Sequence, residues 1–271
     1  FEPGIFGPGA GNPGANPGTG VPGNVTYPGG VDPSMPNHDP GFSNEPGITA
    51  PVLLTDPLRE LRKITNNSAS PVKSKMAVLR QSFLLADEVG YEFRTDNNGN
   101  LQEGILMPSG PTGVKFPLPV ASSKIRIHCH HNGLDPVFSE EDVSGMAEFY
   151  VVKNDMEAYD DEDITSILAS RLGAYALRVG DPQKVFNFHQ TIKFGSNASD
   201  RNKSFKDYKD TYVQEVIEKA QGECNNTCSD AEYDALLEHY FLEWLISWDT
   251  GLEYYKGTLN ADGTYTWVRI N

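Results

Sequence analysis

The chain has 271 residues and a formal net charge of −15. That excess of acid excludes binding driven by attraction to nucleic acid or to an anionic membrane surface. No apolar run reaches the roughly 18 residues needed to cross a bilayer, so no membrane span is expected.

Composition divides the chain in two. Residues 1–51 hold 11 of the 19 prolines, 12 of the 26 glycines and no Lys or Arg. Their scattered apolar residues bury too little surface to offset the entropy of ordering. The sequence therefore predicts an extended Pro/Gly-rich arm over 1–51. An arm of this kind is expected to dock on a protein partner in a larger assembly. Residues 52–271 suit one mixed α/β domain. The start at Phe1, without an apolar leader, reads as a mature or trimmed chain of an exported protein.

Asp56-Pro57 looks like a helix start, and Leu58, Leu61 and Ile64 follow at helical spacing. Val72 to Glu88 reads as a second helix, with Met76, Leu79, Phe83 and Leu84 on one face. Val89 to Phe93 reads as a strand, turned at Asp96–Asn100 into a returning strand over Leu101 to Met107. After a Gly/Pro-rich loop, Ser123 to His128 alternates as a strand, and Ser139 opens a helix to about Tyr150. The acidic run Glu157–Asp163 reads as a solvated helix start rather than a calcium loop, because it lacks the alternating acids and the glycine of one. A helix is expected over Asp163–Leu172, and strands over Ala174–Val179 and Val185–Phe194. Phe205–Gln221 reads as helical. Ser229-Asp230-Ala231-Glu232 is a capping box opening a long helix to Trp248. A hairpin, Leu252–Thr258 and Thr264–Ile270, closes the chain. Cys224 and Cys228, four apart in a polar loop, suit a short disulfide and an oxidising compartment, while Cys129 reads as a buried thiol. Sequons stand at Asn24, Asn66, Asn197, Asn202 and Asn225.

The chemistry concentrates in His128-Cys129-His130-His131, where a strand gives way to a polar loop. Histidines at i and i+2 of an extended chain point to one face, which is a start for a zinc site. Asp142, at the start of the next helix, could fold back as a third ligand. Ser139-Glu140-Glu141-Asp142 also has a structural explanation, as a capping serine with acids in the first helical turn.

The stretch from His128 to Asp142 resembles the JAB/MPN metalloprotease family, whose motif is His-x-His, seven residues, then Ser-x-x-Asp, with a Glu upstream. The resemblance implies a mixed sheet flanked by helices. It implies zinc on His128, His130 and Asp142, with Ser139 supporting an oxyanion and Glu88 acting as general base. Glu92 is the reserve for Glu88. Eight residues rather than seven separate His130 from Ser139, and His131 stands where the family usually has proline, so that His131 is an alternative ligand.

The run from Asp56 to Asn271 also resembles a family of exported Bacteroidetes proteins of unknown function. The shared marks are Glu88-Val89-Gly90-Tyr91, Phe138-Ser139-Glu140-Glu141-Asp142, Phe241-Leu242-Glu243-Trp244-Leu245 and Thr266-Trp267-Val268. This resemblance implies a cell-envelope or cell-surface location. Two functions are expected to compete. One is a zinc-dependent hydrolase of amide or isopeptide bonds. The other is a catalytically degenerate accessory subunit whose arm docks into a surface or secretion complex.

Overall fold

A computed structural model describes residues 56–110, 113–156, 164–195, 201–225 and 227–271. The arm over 1–51, the acidic run and the Asn24 and Asn197 sequons lie outside the described residues. The elements in chain order are α1 (Pro57–Asn66), α2 (Pro71–Gln81), a 3₁₀ turn (Ser82–Leu84), β1 (Val89–Arg94), β2 (Ile105–Leu106), β3 (Ser109–Gly110), β4 (Gly113–Val114), β5 (Ser123–Cys129), α3 (Glu140–Asp155), β6 (Thr165–Ser170), β7 (Gly173–Val179), α4 (Pro182–Phe194), α5 (Arg201–Tyr212), a π-helical stretch (Val213–Glu218), α6 (Lys219–Cys224), α7 (Asp230–Ser247), β8 (Leu252–Leu259) and β9 (Tyr265–Arg269).

Seven strands form one mixed sheet in the order β2-β1-β5-β6-β7-β8-β9. Only the β5–β6 pair of this sheet is parallel. That pairing needs a crossover, and α3 supplies it. The chain thus leaves the carboxyl end of β5 through a loop into α3, the kind of place where open α/β sheets bind ligands.

Strand alternation sorts the side chains between two cores. Ile125, Ile127 and Cys129 of β5 join Ile167, Ala169, Ala176 and Tyr255 against Leu61, Met76 and Leu79 of α1 and α2. Leu168, Tyr175, Leu177 and Tyr254 face the other way, against Val143 and Met146 of α3 and against Phe241 and Trp244 of α7. Arg126 and His128 alternate with the first group, so they point to the α3 side. The outer strand β9 is covered by α1. Asn66 donates to Tyr265 O over 2.8 Å and accepts from Tyr265 N over 2.7 Å, standing in for a neighbouring strand. The sequon at Asn66 is therefore committed to the edge of the sheet.

Several expected elements differ. Residues 165–170 form a strand, not a helix, and all six are buried. A strand covered on both faces loses its alternation, which removed the signal. Residues 185–194 belong to α4, which starts earlier, with Pro182 in its first turn and Asp181 accepting from Lys184 N over 3.1 Å. The second helix stops at Gln81 and tightens into the 3₁₀ turn, so Glu88 lies at the entry to β1 and not in a helix. The returning strand shrinks to Ile105–Leu106, with one separate bridge between Thr95 and Leu101. Both capping boxes, at Ser139 and Ser229, are formed.

Candidate metal centre

The site grows from the register of β1 on β5. Gly90 lies opposite His128 and Val89 opposite Cys129. One step further out, Glu88 faces toward His130. Gly90 leaves room for the hairpin of β3 and β4, because a Cβ there would stand 2.6 Å from Val114 Cγ1. Glu88, His128 and His130 are all buried, and each offers a ligand atom within 4.8 Å of the others. This group could hold a metal ion.

Asp142 closes the cluster from the first turn of α3. Its Oδ1 stands 3.1 Å from His128 Nε2, and its Oδ2 stands 3.5 Å from His130 Nε2. The fold-back expected from the sequence is formed, because the capping box holds the carboxylate at the helix start. Ser139 Oγ donates to Asp142 Oδ2 over 2.8 Å, and the Ser139 amide donates to the same oxygen over 2.8 Å. Two tyrosines of the helix α5 fix this helix start from behind. Tyr212 donates to Phe138 O over 3.1 Å and Tyr208 donates to Glu140 O over 2.7 Å.

Hydrogen bonding distinguishes the two histidines. His130 Nδ1 donates to Asp135 O over 2.7 Å, which turns Nε2 toward the cluster. The loop carrying Asp135 is tied in turn to α7: Arg171 donates to Leu134 O over 2.8 Å and pairs with Asp234. His128 is 2 % exposed, and neither of its ring nitrogens has a hydrogen bond of acceptable geometry. A buried polar atom without a partner is costly. An imidazole beside a carboxylate, yet not hydrogen-bonded to it, fits the donor set of a metal site. Two imidazoles and two carboxylates are also the donor chemistry that zinc accepts.

Electrostatics bind the groups together. Burial pushes the Glu88 carboxyl up, against the charges of His128 and His130, and the net shift is upward. Burial also pushes Asp142 up, but the charges and close contacts of His128 and His130 outweigh it and hold the carboxyl well below its usual range. For His130, burial acts downward and the bond and charge of Asp142 act upward, and Asp142 wins.

The structure separates two other candidates from the cluster. Glu92 is fully buried and saturated: Arg94 Nε donates to it over 2.9 Å, Ser123 Oγ over 2.9 Å and Arg126 Nη2 over 3.1 Å. It holds an ion network rather than the metal group. His131 turns away into its own loop, where Nδ1 accepts from Gly133 N over 3.1 Å. The carbonyl of Asp135 had no signal in the sequence, because any residue there would supply it.

A cavity of about 490 Å³ opens onto the cluster, with Val114, Phe116, Arg126, Met146 and Phe149 among its walls. No protein-family model matches the chain, and no curated protein matches it.

Proposed function

We propose that the protein is a zinc-dependent hydrolase of amide or isopeptide bonds, of the JAB/MPN type, working at the cell envelope or surface. One observation carries the reading: a buried Glu-His-His group, completed by Asp142, beside a cavity large enough for a peptide segment. When bound, the ion supplies Lewis acidity and makes water reactive at neutral pH. His128, His130 and Asp142 would hold it. Glu88, its carboxyl raised by burial, takes the proton from attacking water and returns it to the leaving amine. Phe116, Phe149 and Met146 exclude bulk water from one side of the cavity. The bridge between Cys224 and Cys228 supports an oxidising compartment.

The accessory reading draws on Ser139. Its single hydroxyl proton already goes to Asp142, so it has none to give to an oxyanion without giving up that bond.

Peptide hydrolysis by the zinc-loaded protein tests the proposal. Glu88→Gln is expected to lower turnover by about 10²- to 10⁴-fold with zinc retained. Undiminished hydrolysis in Glu88→Gln, or in protein stripped by a chelator, would overturn it.

A further inference from the structure

Arg126 stands on the same face of β5 as His128, two residues before it, at a Cα spacing of about 7 Å. It is 8 % exposed and lines the cavity that opens onto the cluster. It is the one Lys or Arg among the described residues lining that cavity. Its guanidinium centre lies 4.3 Å from the Phe149 ring and 5.1 Å from the Phe116 ring, which fixes the plane. Nε donates to Glu92 Oε2 over 3.2 Å, and Nη2 donates to the same oxygen and to Pro117 O. A guanidinium has five N–H donors. The two on Nη1 have no hydrogen-bond partner among the described residues.

The charge count is equally specific. Glu92 is shared between Arg126 and Arg94, so two cations face one carboxylate. Six carboxylates line the cavity: Glu148 pairs with Lys193, Glu140 and Glu141 share Lys209, and Glu88, Asp135 and Asp142 lie beside the histidines, so Arg126 is the one place in an acidic lining where an anion meets a guanidinium. The Arg94–Glu92–Arg126 group by itself carries one more positive than negative charge, and its two unused N–H donors belong to a residue that lines the cavity.

We propose that Arg126 binds a substrate carboxylate, and that the cavity selects acyl compounds carrying a free carboxylate beside the amide to be cleaved. The substrate assignment rests on the hydrolase reading. The carboxylate site does not, and it exists in the metal-free protein. The carboxylate comes either from a chain end or from an acidic side chain.

The test is an NMR titration of chelator-treated protein with N-acetyl-alanyl-alanine and with its C-terminal amide. The acid is expected to bind about tenfold more tightly than the amide, the usual gain of a charge-assisted bond. The double variant Glu92→Gln/Arg126→Gln removes the buried guanidinium and its carboxylate together, leaving only the part-exposed Arg94 without its partner, and it is expected to abolish the preference. Glu148→Gln, a partly exposed change that removes a negative charge acting on Arg126, is expected to tighten the acid and leave the amide alone. N-acetyl-aspartyl methylamide, with its carboxylate on the side chain, distinguishes the two sources. Preferred binding of either carboxylate over the uncharged amide supports the site. Equal binding of acids and amide by the wild type overturns it, as does a preference that survives in the double variant. If the double variant does not fold, an acid affinity unmoved in Glu148→Gln overturns it. Failure here leaves zinc binding and hydrolysis untouched, and failure of zinc binding leaves the carboxylate preference intact.

Discussion

Ser139 and Asp142 are joined in both directions: the Ser139 hydroxyl donates to Asp142 Oδ2 over 2.8 Å and accepts from the Asp142 amide over 3.2 Å. The same carboxylate reaches both imidazoles. The helix cap and the candidate metal cluster thus share one side chain, and the stability of α3 is coupled to the geometry of the site.

Ser139→Ala breaks that coupling. We expect a loss of about 1 kcal/mol from the missing cap. Zinc affinity is expected to fall about 10- to 100-fold, as when the hydrogen-bonding support of a ligand is removed. Ser139→Thr keeps a hydroxyl and is expected to restore most of both. Thermal unfolding and competitive zinc titration read the two effects. An alanine variant with reduced turnover but unchanged zinc affinity would return Ser139 to the oxyanion role.

Glu92 is expected to matter for stability and not for metal. Glu92→Ala leaves Arg126 buried without its carboxylate, and a broken buried pair costs about 3–5 kcal/mol. Denaturant unfolding should show that loss while zinc content stays at the wild-type level. A variant of unchanged stability, or one that loses zinc, would contradict the assignment of Glu92 to the ion network.

The metal-free protein should depend on pH in a particular sense. His130 has a raised pKa in the folded state, so its contribution is complete below the unfolded value of about 6.5 and is lost as pH rises through the folded value. Asp142 has a lowered pKa, so its contribution is present above about 3.9 and is lost as pH falls through its depressed folded value. Thermal midpoints of chelated protein should therefore be highest between these limits and fall as pH passes through the histidine range. The ligands must be deprotonated to bind metal, so the stabilisation by added zinc should grow over that same rise. A zinc-induced shift that shrinks with rising pH would argue against imidazole ligation.

Thiol accessibility separates the three cysteines. Cys129 is buried and free, and Cys224 is bridged to Cys228. Alkylation should label none in the native protein, one after denaturation, and all three after denaturation with reductant. Three labels without reductant would place the chain in a reducing setting.

Much of the site was legible in the sequence because its signals are local. His128 and His130 share a strand face by the two-residue period, and Ser139 to Asp142 is a four-residue cap. The long helix α7 and the hairpin of β8 and β9 carry equally local signals, a capping box and the Asn260–Gly263 turn. Residues 165–170 were not legible, because burial on both faces erases the alternation that marks a strand. α4 was missed because its cap at Asp181 and its Pro182 were outweighed by the apolar run from Val185. The choice between Glu88 and Glu92 is also beyond local pattern. It depends on the pairing of β1 with β5, which sets Glu92 against Arg126 and carries Glu88 past the strand toward His130.

The most direct measurement is metal content, by elemental analysis of the purified protein after equilibration with zinc, for the wild type and for His128→Ala/His130→Ala. About one zinc is expected per wild-type chain, in keeping with a single set of three protein ligands and one open position, and none above background in the folded double variant. No zinc in the wild type, or the same zinc in both proteins, would contradict it.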